Sequence, residues 1–335
     1  MDLLPASAIY FSETAVFSLM VQRSDGTSNM HHLLRTDAIR LIPAYVGQSA
    51  GFSRCSLIDK SCGSVHTALG LCALDAGGRV DTHLHSFEES FYVLEGEPTL
   101  IMDGRGYPLL PGACGVVPVS VPHAWAGPTN GRAKWIDMLV PQPRGEAEPA
   151  DTFFLGAPRP GRVDPLDIRD PRSRHFFRLR DSDMQLDKLK VGARVDAPTV
   201  SASMATALLA YSGITVKMLV DQRLDAQLHT MFMVEYQPGG IAHLHDHPLE
   251  EAYVILDGEV EAVADDKRYT MRVGDVLWTG VGCIHAFYNT SNTTVRWLET
   301  QSPQPPARYS YRFNRDWEYL NEKLAKPSSS DTSAS

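Results

Sequence analysis

Apolar residues along this chain fall in short runs rather than long stripes. Ser90-Phe-Tyr-Val-Leu94 and Ala252-Tyr-Val-Ile-Leu256 are runs of branched and aromatic residues, the composition favoured on a pleated surface. Each closes on a turn, Glu95-Gly96 and Asp257-Gly258, and Asp-Gly is a strong hairpin signal. Asp103-Gly104 and Asp265-Asp266 mark further turns, and Gly112 and Gly274 lead into new runs, Gly115-Val-Val117 and Val276-Leu-Trp278. Turns at such short spacing, without a long amphipathic helix, predict an all-β sandwich or barrel. A short helix is expected near Asp183–Leu189, and another over Arg315–Leu324.

The pattern occurs twice. Gly77, His83, His85, Glu89, Gly96 and His123 are each followed 162 positions later by Gly239, His245, His247, Glu251, Gly258 and His285. The same offset pairs Gly51 with Gly213, Leu57 with Leu219, Asp59 with Asp221, Gly112 with Gly274, and Ala124 with Ala286. A gapless internal repeat of this length implies two copies of one fold. The expected division is an N-terminal arm over 1–50, a first barrel over 51–145, a linker with edge strands over 146–205, a second barrel over 206–305, a C-terminal segment over 306–326 and a disordered tail over 327–335.

With 335 residues and 43% hydrophobic content, the chain has material for two cores. Its net charge of −9 and lack of a basic stretch argue against nucleic acid or an anionic membrane as partner. No apolar run approaches the length of a membrane span, and no basic residue precedes the first apolar run. The five cysteines include no Cys-x-x-Cys, so they read as small buried residues in a reducing, cytoplasmic protein.

The repeated polar residues carry the candidate chemistry. On a strand, residues i and i+2 share a face, so His83 and His85 point together, as do His245 and His247. Pro248 breaks the second run, so Glu251 is expected to open the neighbouring strand. His123 and His285 would close each set from another strand. Three imidazoles and a carboxylate suit a divalent first-row metal with open coordination positions: manganese or iron foremost, zinc and nickel also compatible. The expected ligands are therefore His83, His85, Glu89 and His123 in one copy and His245, His247, Glu251 and His285 in the other. By parity Tyr253, Phe287, Phe91 and Trp125 are pocket-wall candidates, with core filling as the competing role. Trp278 and Met233 are assigned to the core, and His243 to a loop or rim.

These residues resemble a known pattern. Gly77-x5-His83-x-His85-x3-Glu89-x6-Gly96 and Gly239-x5-His245-x-His247-x3-Glu251-x6-Gly258 resemble the first cupin motif. Gly112-x5-Pro118-x3-Pro122-His123 and Gly274-x5-Gly280-x-Gly282-x2-His285-x3-Asn289 resemble the second. The resemblance implies a bicupin, two tandem jelly-roll β-barrels with a metal inside. The framework of Ile42-Pro-Ala-Tyr45 ahead of the first barrel and Tyr311-Arg-Phe-Asn-Arg-Asp316 beyond the second barrel resembles the ureidoglycine aminohydrolase-type bicupins. That layout implies a metal-dependent hydrolase of a small polar metabolite, with the second barrel as the favoured catalytic one. Oxalate decarboxylases and quercetinase-like dioxygenases are similar in the three-His, one-Glu set, so decarboxylation or dioxygenation is the alternative chemistry. A non-catalytic metabolite-binding cupin is a further reading, and bicupins commonly assemble, so a homo-oligomer is expected.

Overall fold

The computed structural model describes residues 30–144, 151–159, 161–167, 169–184 and 213–304, with the backbone of 312–313. The expected C-terminal helix and the tail lie outside these residues. Among the described residues the regular structure is nearly all strand, relieved by 3-10 turns of three or four residues. The helix expected near Asp183 is such a turn, Asp181–Met184, with the rest of that stretch outside the described residues.

The two halves repeat the same strands. Glu88–Glu95, Ala113–Val117, His123–Ala126 and Arg132–Val140 in the first correspond to Glu250–Asp257, Val276–Thr279, His285–Tyr288 and Val295–Ser302 in the second. The anticipated turns are where the residue types demand them. Gly96 and Gly258 have φ of 74° and 75°, and a Cβ there would meet the Arg132 and Thr294 carbonyl oxygens at 2.5 and 2.7 Å. Only glycine satisfies both the left-handed backbone and that close approach. Asp59 and Asp221 each accept from an amide two residues on, Ser61 and Arg223, capping matching 3-10 turns.

The second half is a pair of facing sheets, six-stranded and five-stranded. In the first half the sheets run together as one twelve-stranded sheet, because Ala68–His85 continues through both. Its counterpart is interrupted, as Thr230–Tyr236 and Ile241–Asp246. Each barrel has its own apolar interior. The first is built on Leu74, Phe91, Leu100, Trp125 and Trp135, the second on Phe232, Tyr253, Met271, Phe287 and Trp297.

A third apolar cluster lies between the barrels. It joins Leu69, Val116, Ile136 and Met138 to Met231, Met233, Val254, Val276, Trp278 and Leu298. Met233 and Trp278 are thus core residues, at the junction rather than inside a barrel. The junction obeys the repeat. Glu88 accepts from the amides of Gln227 and Leu228 at 2.7 and 3.1 Å, and its carboxylate lies 3.0 Å from His229 Nδ1. Glu250, its counterpart, accepts from Ser64 Oγ and the Val65 amide at 2.7 Å and from the Thr67 amide at 3.2 Å. Each barrel thus holds the other's loop through a buried glutamate at the same repeat position.

The flanking segments also cross over. His31–Leu34, N-terminal to the first barrel, pairs antiparallel with Val276–Thr279 of the second. Phe176–Arg178, from the connecting region, pairs antiparallel with Ala113–Val117 of the first. An Asp265 carboxylate oxygen takes the Met30 amide at 2.9 Å and lies 3.0 Å from His31 Nδ1, fastening the crossed strand to the second barrel.

Candidate metal centres

Strand pairing brings the repeated polar residues together. His83 lies directly opposite His123 across an antiparallel pair, and His245 opposite His285 in the same way. His85 and His247 share the face of the first histidine, two residues on. Glu89 and Glu251 are second in their strands, as Pro248 led one to expect. Imidazole centroids are 4.2, 4.8 and 5.0 Å apart in the first barrel and 4.3, 4.9 and 5.2 Å in the second. In the first, donor atoms of His83, His85, Glu89 and His123 all lie within 4.8 Å of one another, and in the second those of His245, His247 and His285 do. Glu251 completes the second set at 3.2 Å from both His247 Nε2 and His285 Nε2.

The inward nitrogens are fixed by what the outward ones touch. His83, His123, His245 and His285 each place Nδ1 on a carbonyl oxygen, of Asp81, Val121, His243 and Cys283, at 2.5–3.0 Å. A carbonyl only accepts, so Nδ1 carries the proton and Nε2 presents a lone pair. Yet His123 Nε2 lies 3.2 Å from Glu89 Oε2, and His285 Nε2 as far from Glu251 Oε2. Two acceptors at that separation repel unless a second proton or a metal cation stands between them. Carbonyl-bound imidazoles converging on a carboxylate are the arrangement that holds a divalent metal. The donor set therefore fits the group it implies.

Protonation states agree. Burial, then the neighbouring imidazoles, pushes His83 and His245 well below the usual histidine range. Burial also lowers His85 against the pull of Glu89. For Glu89 burial acts upward, but hydrogen bonds with His123 and His85 prevail and hold it well below the carboxylate range; Glu251 is likewise held low. Neutral imidazoles and an ionised carboxylate are what a metal requires.

Of the four aromatic candidates, one reaches a centre. Tyr253 is buried, with its hydroxyl donating to Glu251 Oε2 and 2.9 Å from His285 Nε2. Phe287 packs between Tyr253 and Trp297, while Phe91 meets Trp125 edge-on and Trp125 stacks on Trp135 at 4.6 Å. These three fill the barrel interiors. The first centre is instead walled by Phe87, stacked on His85 at 4.2 Å, with Tyr45 and Phe154 against His83. His243 lies in a strand rather than a loop, half-buried beside Tyr288.

Sequence reasoning missed Gln301 and Glu299. Gln301 Nε2 donates to Glu251 Oε1 at 2.6 Å. Glu299 accepts from Trp297 Nε1 at 2.9 Å, and burial followed by the Glu251 charge drives its carboxyl well above the usual range. Their repeat partners are Leu139 and Asp137. A polar residue where the other copy has leucine was a signal available for Gln301.

Two barrels of this topology with matched buried ligand sets define a bicupin. The cupin domain model matches residues 70–139 and again 232–300, so the chain carries two tandem cupin domains. Among solved structures it is similar to the Lactobacillus farciminis oxalate decarboxylase–formate complex, at 13% identity, TM-score 0.57, and coverage of 91% of this chain and 96% of that one. It is also similar to Bacillus subtilis oxalate decarboxylase at pH 4.6, at 16% identity, TM-score 0.55, and coverage of 90% and 84%. At such identity the likeness is one of fold. No curated protein sequence matches. Among the described residues no helix is long and apolar enough to cross a membrane.

Proposed function

We propose that this bicupin is a metal-dependent enzyme acting on a small polar metabolite, and that decarboxylation of a small carboxylic acid is its reaction. The observation that carries the reading is the pair of buried sets, His83–His85–Glu89–His123 and His245–His247–Glu251–His285, with carbonyl-fixed imidazoles and ionised glutamates. A divalent ion held by them would polarise a carboxylate or a bound water. Loss of carbon dioxide is redox-neutral: the carbon–carbon bond breaks, and the remaining carbon takes up one proton. Glu89 is the group placed to take the proton of the acid as it binds and return it to that carbon as carbon dioxide leaves. It is buried and ionised, and among the described residues only the two imidazoles hold it. Phe87, Tyr45 and Phe154 keep bulk water from His83 and His85. The likeness to oxalate decarboxylases supports this chemistry over the hydrolysis suggested by the ureidoglycine-type layout, which the comparisons leave unsupported.

Metal content per chain, together with carbon dioxide, ammonia and oxygen followed over a panel of small di- and keto-acids and ureido compounds, tests the reading. Carbon dioxide released without oxygen uptake, and lost in His83→Ala, is the expected result. Ammonia release, or turnover that persists in fully metal-stripped protein, overturns it.

A further inference from the structure

The two centres carry the same ligands but differ in what touches the glutamate. Cross-strand register sets the difference. Glu89 lies opposite Val117 on one side and Leu139 on the other, whereas Glu251 lies opposite Thr279 and Gln301. Two residues along the strand from each glutamate is Phe91 in the first barrel and Tyr253 in the second. As a result both oxygens of Glu251 accept from protein donors, Oε1 from Gln301 Nε2 at 2.6 Å and Oε2 from the Tyr253 hydroxyl. Among the described residues Glu89 is bonded only by His85 and His123, both through Oε2.

The surroundings differ in the same sense. Where the second barrel buries Glu299 on Trp297, the first has Asp137, which takes a two-pronged hydrogen bond from Arg54 at 2.7 Å and is thereby tied away from the centre.

We propose that Tyr253 and Gln301 are positioning residues that lock Glu251, making the two metal centres unequal: a tighter one in the second barrel with a fixed carboxylate, and a looser one in the first with a carboxylate free to turn. The inference rests on the metal-binding reading above. A carboxylate held by both oxygens is already oriented when metal arrives, and outer hydrogen-bond partners of this type are worth about 10- to 100-fold in metal affinity. Among the described residues Glu89 has no such partner, so its other oxygen is available for a second bond to metal or for a bound ligand.

The repeat supplies the test, because each barrel carries the other's substitution. Metal-free full-length protein is titrated with Mn(II), and the bound ion is followed by metal analysis and by its electron paramagnetic resonance spectrum. The wild type is expected to load in two steps with two distinct spectra, and His285→Ala identifies the tighter one. Tyr253→Phe with Gln301→Leu should weaken that step by about 10- to 100-fold and bring its spectrum towards the other. Phe91→Tyr with Leu139→Gln should do the reverse in the first barrel, and stands as an independent arm should the first pair fail to fold. Two metals bound in one step with one spectrum overturn the inference and leave the metal-binding reading intact. So does a second-centre spectrum unmoved by the first pair of substitutions. Fewer than one metal per chain overturns both.

Discussion

At the scale of single residues, the centres are defined by protonation. His83, His85 and His245 are held neutral by burial, below the usual histidine pKa of about 6.5. In the unfolded chain they regain the ordinary value, so below about pH 6.5 the unfolded state binds more protons than the folded one. The linkage then runs one way: stability rises with pH across this window and is lost as pH falls. Metal-free protein is therefore expected to unfold at lower denaturant concentration at pH 5 than at pH 7, as monitored by circular dichroism. A midpoint flat or rising over that interval contradicts this account. That these residues would cluster was readable from the sequence because an offset common to six residues leaves little room for chance. Gln301 and Glu299 were not, because their importance lies in register: only the strand pairing shows which side chain lies beside Glu251.

At the scale of strands and loops, turn chemistry was the most legible part. Gly96, Gly258, Asp103 and Asp265 take the positive φ that their residue types favour. Less legible was the long strand Ala68–His85, whose counterpart is divided although both carry the glycine of the motif, Gly77 and Gly239, at positive φ. The junction elements were not foreseen, since Glu88 and Glu250 stand beside the repeated glutamates in sequence and only the fold shows that they reach the other barrel's loop. Burial acts to raise the Glu88 carboxyl, but His229 and the amides of Gln227 and Leu228 hold it below the carboxylate range. Replacing Glu88 with Gln removes charge-assisted hydrogen bonds worth about 1.5–3 kcal/mol and should lower the free energy of unfolding by that order. The loss should shrink as pH falls below about 4.5, because the unfolded wild-type chain then takes up a proton at Glu88 that the folded carboxylate does not. Denaturant titrations of wild type and variant at pH 7 and pH 4 check this, and an equal gap at both sets it aside.

At the scale of the whole molecule, the repeat describes an assembly as well as a duplication. The apolar junction around Met138, Met231, Val254 and Leu298, and the reciprocal loop holds of Glu88 and Glu250, join the halves as two like subunits of a dimer would be joined. Deletion of residues 1–35 removes one of the two strands paired with Val276–Thr279, leaving Glu250–Asp257 on its other side and the first barrel's own strands intact. Hydrogen exchange should therefore quicken in Val276–Thr279 more than in Ala113–Val117. Equal protection of the two strands in the deletion variant would count against a structural role for the crossed strand.

The crossed strands also bear on how the chain is made. His31 finds its pairing partner at Thr279, and Gly115 finds its own at Phe176. On a ribosome, the first barrel emerges well before the strand that finishes its edge. The strand that finishes the second barrel is made early and stays unpaired until nearly all of the chain has appeared. Pairings so distant in sequence close late and slowly. Two fragments cut between Val163 and Phe176 should therefore reach a native state only when produced together, each supplying the other's missing edge.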